Sequence, residues 1–207
     1  MPVSLDLAAL DALAAARSGK DPAHDVAHVR RVARSARAIA QAEQANADVC
    51  VAAALLHELF SYPKNHPDSA HSGEVCAEHA RHELFARKVD AQSTDEICYA
   101  IAVHPFSRGI LPTTREAKIL QDADRLDALG AIGIARCFAT AGALGHEFYA
   151  SDDPFCENRK PSHYAVDHFY AKLLKLPSVL HTATARTLAA ERIALMHTFL
   201  AQLGREI

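Results

Sequence analysis

The sequence predicts an all-α protein, and three observations predict it. Apolar residues recur at helical spacing along most of the chain, alternating β-branched runs are almost absent, and helix-capping residues stand ahead of the periodic segments. With 207 residues, half of them hydrophobic, the chain can build one domain with a substantial core. The expected organisation is therefore a single domain over residues 1–207, a bundle of about eight helices.

The N-terminal segment MPVSLDLAALDALAAARSGK reads as an amphipathic helix capped by Ser4. Asp6 and Asp11 stand where a secretory signal would have a basic segment and an unbroken apolar core, so no leader is expected. In DPAHDVAHVRRVARSARAIAQAE, Asp21 fits an N-cap with Pro22 at the first helical position, and the helix runs to about Glu43. Its apolar stripe is Val29, Val32, Ala33, Ala36, Ile39 and Ala40, with Arg30, Arg34, Arg37 and Gln41 on the solvated face. His24, His28, Arg31 and Ser35 follow one edge of that stripe, where a side chain is anchored by the core and still reaches a cleft.

The next helix, about Asp48 to Phe60, is apolar on most of its surface and belongs at the centre. It ends in AALLHELF, Ala53 to Phe60. A Pro-bearing loop follows, then helices from about Ser69 to Lys88 and from about Thr94 to His104, and the connector HPFSRGILPTT. Thr113 and Glu116 form a capping box ahead of the helix that carries DADRLDALG. Between Gly142 and Pro161 lies a long Gly/Pro-containing stretch without periodicity, readable as a lid, a binding loop or disorder. The C-terminal helix places Leu188, Leu195, Met196, Phe199 and Leu203 at core spacing.

Composition narrows the function. The net charge is −3, with basic and acidic residues interleaved, so no electrostatic footprint for a long nucleic acid is present. A phosphorylated small molecule stays open as a partner. The longest wholly apolar run, VCVAAALL, has eight residues and cannot span a bilayer. The five cysteines are scattered and never in a CxxC pair, which argues against a disulfide framework or a thiolate zinc site and for the reducing cytoplasm.

Chemistry concentrates on three helices that each set polar residues against an apolar surface. His28 stands on one, His57 and Glu58 on the second, Asp124 on the third. An ionised carboxylate or unpaired imidazole at a core helix is costly without a partner, either a salt bridge or a metal. Two imidazoles and two carboxylates give a mixed N/O site whose ligand charge neutralises a divalent cation. Taken singly, His28 reads as a histidine bonded to a carbonyl and Asp124 as a partner for a neighbouring arginine; together they read as a site. Two other motifs fail. A zincin needs a histidine where Ser61 stands, and a calcium loop needs a glycine where Asp127 stands.

HDVAHVRRVA, AALLHELF and AKILQDADRLDALGAIGIAR together resemble the HD superfamily of metal-dependent phosphohydrolases. HPFSRGILPTTREAKILQDADRLDALGAIGIAR and DHFYAKLLKL resemble its YedJ/YpgQ-like branch over most of the chain. The resemblance implies an HD-domain helical bundle with metal ligands at His28, His57, Glu58 and Asp124. The family doublet is His-Asp and here is His57-Glu58; the extra methylene carries the carboxylate outward by roughly 1.5 Å. Glu58 then binds the metal by rotating, acts through a water, or weakens the site.

The same resemblance implies a divalent cation, Mn²⁺ favoured with Mg²⁺ or Fe²⁺ as alternatives, that arms a water against a phosphate. Arg31 and Lys64 are the candidates for gripping phosphates, and His24 and His104 for orienting substrate or moving a proton. Arg125 and Asp127 read as structural, Asp127 paired to Arg136. The branch implies hydrolysis of (deoxy)nucleoside triphosphates to monophosphate and pyrophosphate. A nucleoside monophosphate phosphatase and a non-catalytic nucleotide-binding or regulatory protein are the alternatives, and the oligomeric state is left open.

Overall fold

In a computed structural model the chain is described at residues 5–18, 25–63 and 66–207. Ser4, Asp21, Pro22, His24 and Lys64 lie outside the described residues. The described residues form nine α-helices joined by turns and short 3₁₀ segments, with no strand among them, so the fold is all-α. By contacts the chain divides into two compact units, Met1–Asp124 and Arg125–Ile207.

The first unit opens with α1 (Leu7–Arg17), where the Asp6 carboxylate accepts from the Ala9 N–H at 3.0 Å. Helix α2 (Val26–Ala42) starts later than the sequence suggests. Asp25, in extended conformation, is its cap and accepts from the His28 N–H at 2.8 Å. The six residues expected in its apolar stripe are all buried, and Arg30, Arg34, Arg37 and Gln41 are exposed.

Helix α3 (Ala47–Leu56) is buried at every residue from Val49 to Leu56, as a helix apolar all round must be. It packs against α1, α2 and α5, and its three consecutive alanines, Ala52 to Ala54, admit close neighbours. It stops four residues earlier than expected. The His57 ring takes the Ala54 carbonyl and the Leu59 N–H takes the Leu56 carbonyl in a 3₁₀-like turn, so the helical ladder cannot continue. The residues HELF therefore form a turn past the helix end, with His57 as its C-cap.

Helix α4 (Ser72–Ala86), preceded by a 3₁₀ turn at Ser69–His71, packs on α5 (Ala91–Val103), whose cap is Asp90. The chain then reaches α6 (Arg115–Asp127). Its opening hydroxyl is Thr114, which accepts from the Ala117 N–H at 3.2 Å. The expected Thr113–Glu116 box does not form: Thr113 pairs with the Tyr99 hydroxyl, and Glu116 accepts from the Asn46 N–H. Gln121 donates to the Val103 and Ile110 carbonyls, tying α6 to the end of α5.

In the second unit α7 (Gly130–Ala143) packs on α9 (Ala183–Glu206) and touches the short α8 (Ala165–Ala171). A Cβ at Gly133 would lie 2.2 Å from the Ala128 carbonyl oxygen, so the tight entry into α7 requires glycine there. The long stretch between α7 and α8 is held in place. Arg159 grips the buried Asp167 with two bonds of 2.6 Å, and Asp153 accepts from the Glu157 and Asn158 N–H groups. Along α9, Met196 is buried as expected, but Leu195 is exposed, because Ala185, Ala189, Met196 and Leu200 form the inward row.

Candidate metal centre

Three segments of the first unit meet at the site. Helix α2 brings His28, the turn after α3 brings His57 and Glu58, and α6 brings Asp124. Among the described residues, His28, His57 and Glu58 form the cluster of potential metal ligands, with ligand atoms all within 4.8 Å of one another. Asp124 meets it on the His28 side, its Oδ1 3.5 Å from His28 Nε2. Both imidazoles are buried, whereas the Glu58 and Asp124 side chains keep 19% and 26% of their surface, so the carboxylates mark the open side.

The donor set fits a cation. His57 Nδ1 lies 2.7 Å from the Ala54 carbonyl oxygen, which can only accept, so the proton sits on Nδ1 and Nε2 presents its lone pair. That nitrogen lies 3.3 Å from His28 Nε2 and 3.8 Å from Glu58 Oε1. Two nitrogens sharing an ion at about 2.1 Å lie roughly 3.0 to 3.4 Å apart, depending on octahedral or tetrahedral geometry. Burial, then the neighbouring His104 and His28, push the His57 imidazole down to about 3 against the opposing pull of Asp124 and the Ala54 carbonyl. His57 is therefore neutral at physiological pH, the form that ligates metals. The lengthened carboxylate at position 58 has turned inward, within reach of the imidazoles.

His104, at the C-terminal end of α5, belongs to the same place. Its ring stands edge-on to His57, with centroids 5.2 Å apart, and its Nδ1 donates to the Ile101 carbonyl at 2.6 Å. Burial lowers its basicity, with Asp124 opposing. Arg31 lies one helical turn beyond His28, half-buried. Outside this group, Asp127 pairs with Arg136 at 2.9 Å, and Arg125 donates to the Val179 carbonyl, both as expected of structural residues. Asp122 is wholly buried on α6 and was not singled out by the sequence pattern. Also missed were Ser72, Gly73 and Cys76, whose contacts are largely with backbone atoms and leave no pattern in the sequence.

Comparison with known proteins places the whole site inside one family. The HD domain family model matches residues 25–129, which include His28, His57, Glu58, His104 and Asp124. YpgQ of Bacillus subtilis (strain 168) is 38% identical over 188 residues, covering 89% of this chain and 84% of YpgQ. The crystal structure of Bacillus subtilis YpgQ in complex with ADP matches with a TM-score of 0.77 and 31% identity over 98% of both chains. A Lactobacillus plantarum protein matches with a TM-score of 0.79 and 32% identity over 100% of this chain and 98% of its own. An HD-superfamily hydrolase from Bacillus thuringiensis matches with a TM-score of 0.75 and 30% identity, over 97% and 95%. On sequence and structure, the chain belongs to the HD domain family.

Proposed function

We propose that this protein hydrolyses (deoxy)nucleoside triphosphates to the monophosphate and pyrophosphate. In that reaction a water oxygen bonds the α-phosphorus, the α–β phosphoanhydride bond breaks, and pyrophosphate leaves. The observation that carries the reading is the pair of buried imidazoles, His57 with its Nδ1 engaged by the Ala54 carbonyl, flanked by two carboxylates, within a chain whose relative YpgQ has been crystallised with ADP.

His28, His57, Glu58 and Asp124 would hold the divalent cation. Mn²⁺ is favoured because a donor set of imidazole and carboxylate is of intermediate hardness. The cation supplies Lewis acidity, neutralising phosphate charge and acidifying water. Ala54 orients His57 through its carbonyl, keeping Nε2 free of a proton. Arg31 binds phosphate oxygens, with Lys64 assigned to the same task and His24 to substrate orientation. His104, with Nδ1 engaged by Ile101, is left to accept or pass on a proton at Nε2. Five free cysteines, four of them buried, support a reducing cytoplasm as the setting. Among the described residues no single helix is long and apolar enough to cross a membrane.

Incubating the purified chain with Mn²⁺ and a panel of nucleoside tri-, di- and monophosphates tests the reading. Equimolar pyrophosphate and monophosphate from triphosphates is the expected outcome. Orthophosphate from monophosphates would make it a phosphatase, and saturable binding without turnover would make it a nucleotide sensor.

A further inference from the structure

The opening of α4 touches two of the segments around the candidate centre, the stretch after α3 and the end of α5 with its connector. The Ser72 hydroxyl accepts from the Tyr62 N–H at 3.1 Å, just downstream of Glu58. A Cβ at Gly73 would lie 2.7 Å from the Ala102 carbonyl oxygen and 2.8 Å from Pro105 Cγ, so only glycine lets α4 close on the turn that carries His104. Glu74 pairs with Arg108 of the same connector. Cys76 Sγ stands 3.4 Å from the Leu56 carbonyl oxygen and 3.2 Å from that of His57.

The carbonyls at the end of α3 lack helical partners and must find donors elsewhere. His57 satisfies that of Ala54 with its own ring, the Leu59 N–H takes that of Leu56, and the Cys76 thiol stands within reach of those of Leu56 and His57. The thiol is buried, and its S–H is the donor that faces these carbonyls. Resting on the metal-centre reading above, we propose that Cys76 is the positioning residue of His57, and that the first turns of α4 set the spacing between His57 and His104. The thiol fixes the peptide from which the metal-binding ring projects, and Gly73 sets how near the His104 turn can come.

Mn²⁺ titration calorimetry on wild type, Cys76→Ser, Cys76→Ala and Cys76→Val, each with its metal-free thermal midpoint, tests this. Cys76→Ser keeps a donor and should stay within about threefold of wild-type affinity, whereas Cys76→Ala and Cys76→Val should lose about tenfold, the usual effect of removing a group that orients a ligand. A merely structural cysteine would lower the midpoints without splitting the Mn²⁺ affinities. The proposal fails if Cys76→Ala binds Mn²⁺ like wild type, if Cys76→Ser loses as much as Cys76→Ala, or if neither donor-free variant folds. Gly73→Ala should keep Mn²⁺ affinity and weaken ADP binding about tenfold; unchanged ADP binding would overturn the second half. A wild-type protein that binds no Mn²⁺ would instead sink the metal-centre reading itself.

Discussion

At the scale of single residues, the proposed site depends on a His57 imidazole kept neutral by burial, with the buried His28 and two carboxylates close by. His57 has a folded pKa near 3 against about 6.5 when unfolded, so between those values the unfolded chain binds a proton that the folded one refuses. Its stabilising contribution is complete above about pH 6.5 and is lost as pH falls toward 3. Thermal melts of metal-free protein should therefore show a midpoint that falls on acidification from pH 7, and falls less in His57→Phe. A wild-type profile no steeper than the variant's would contradict this. Glu58→Gln keeps the shape and removes the charge, so Mn²⁺ affinity measured by calorimetry should drop at least about tenfold. Glu58→Asp restores the family's His-Asp doublet. Because Glu58 already reaches the imidazoles, turnover should change by no more than about threefold, and a tenfold gain would mean that the longer side chain weakens the site.

The helices were legible in the sequence to the extent that their stability comes from periodic burial. The stripe of α2 and the all-apolar α3 come directly from residue type, and His28, His57, Glu58 and Asp124 stood out as titratable groups on such surfaces. Helix ends were less legible, because several local hydrogen bonds compete for them. Asp25 rather than Asp21 caps α2, and Thr114 rather than Thr113 faces the start of α6, since the Thr113 hydroxyl is taken by Tyr99. Cys76 and Gly73 were illegible for a different reason. A thiol in an apolar stripe looks like core, and a carbonyl as its partner has no letter of its own. The Arg159–Asp167 bond pair acts between elements as well, since it pins the α7–α8 connector to α8. Burial pushes Asp167 up, yet Arg159 and the Ser162 N–H and hydroxyl together hold it below the usual carboxylate value. Arg159→Ala strips the buried carboxylate of its counter-charge and should lower the urea midpoint more than Arg30→Ala, which breaks only the surface pair with Asp11. Equal midpoints would contradict the assigned role.

For the whole molecule, the proposed metal centre would link metal binding to folding. A cation held only by the folded arrangement of His28, His57, Glu58 and Asp124 stabilises that fold, by about 2.7 kcal/mol at a concentration one hundred times its Kd. For a chain of this length that is a rise of roughly 5 to 10 °C in Tm, read by differential scanning calorimetry with and without Mn²⁺. We propose that residues 1–207 act as one domain, supported by the match to YpgQ over 98% of both chains. A single unfolding transition seen identically by far-UV dichroism and by tyrosine fluorescence is expected, and two separated transitions would divide the chain.

The central claim, that side chains from α2, the turn after α3 and α6 share one ion, is tested most directly by an anomalous difference map from a manganese-soaked crystal. The account predicts a single strong peak about 2.1 Å from His28 Nε2 and His57 Nε2, with Glu58 and Asp124 oxygens completing the protein ligands. A peak bound elsewhere, or no peak at these histidines at saturating manganese, would contradict it.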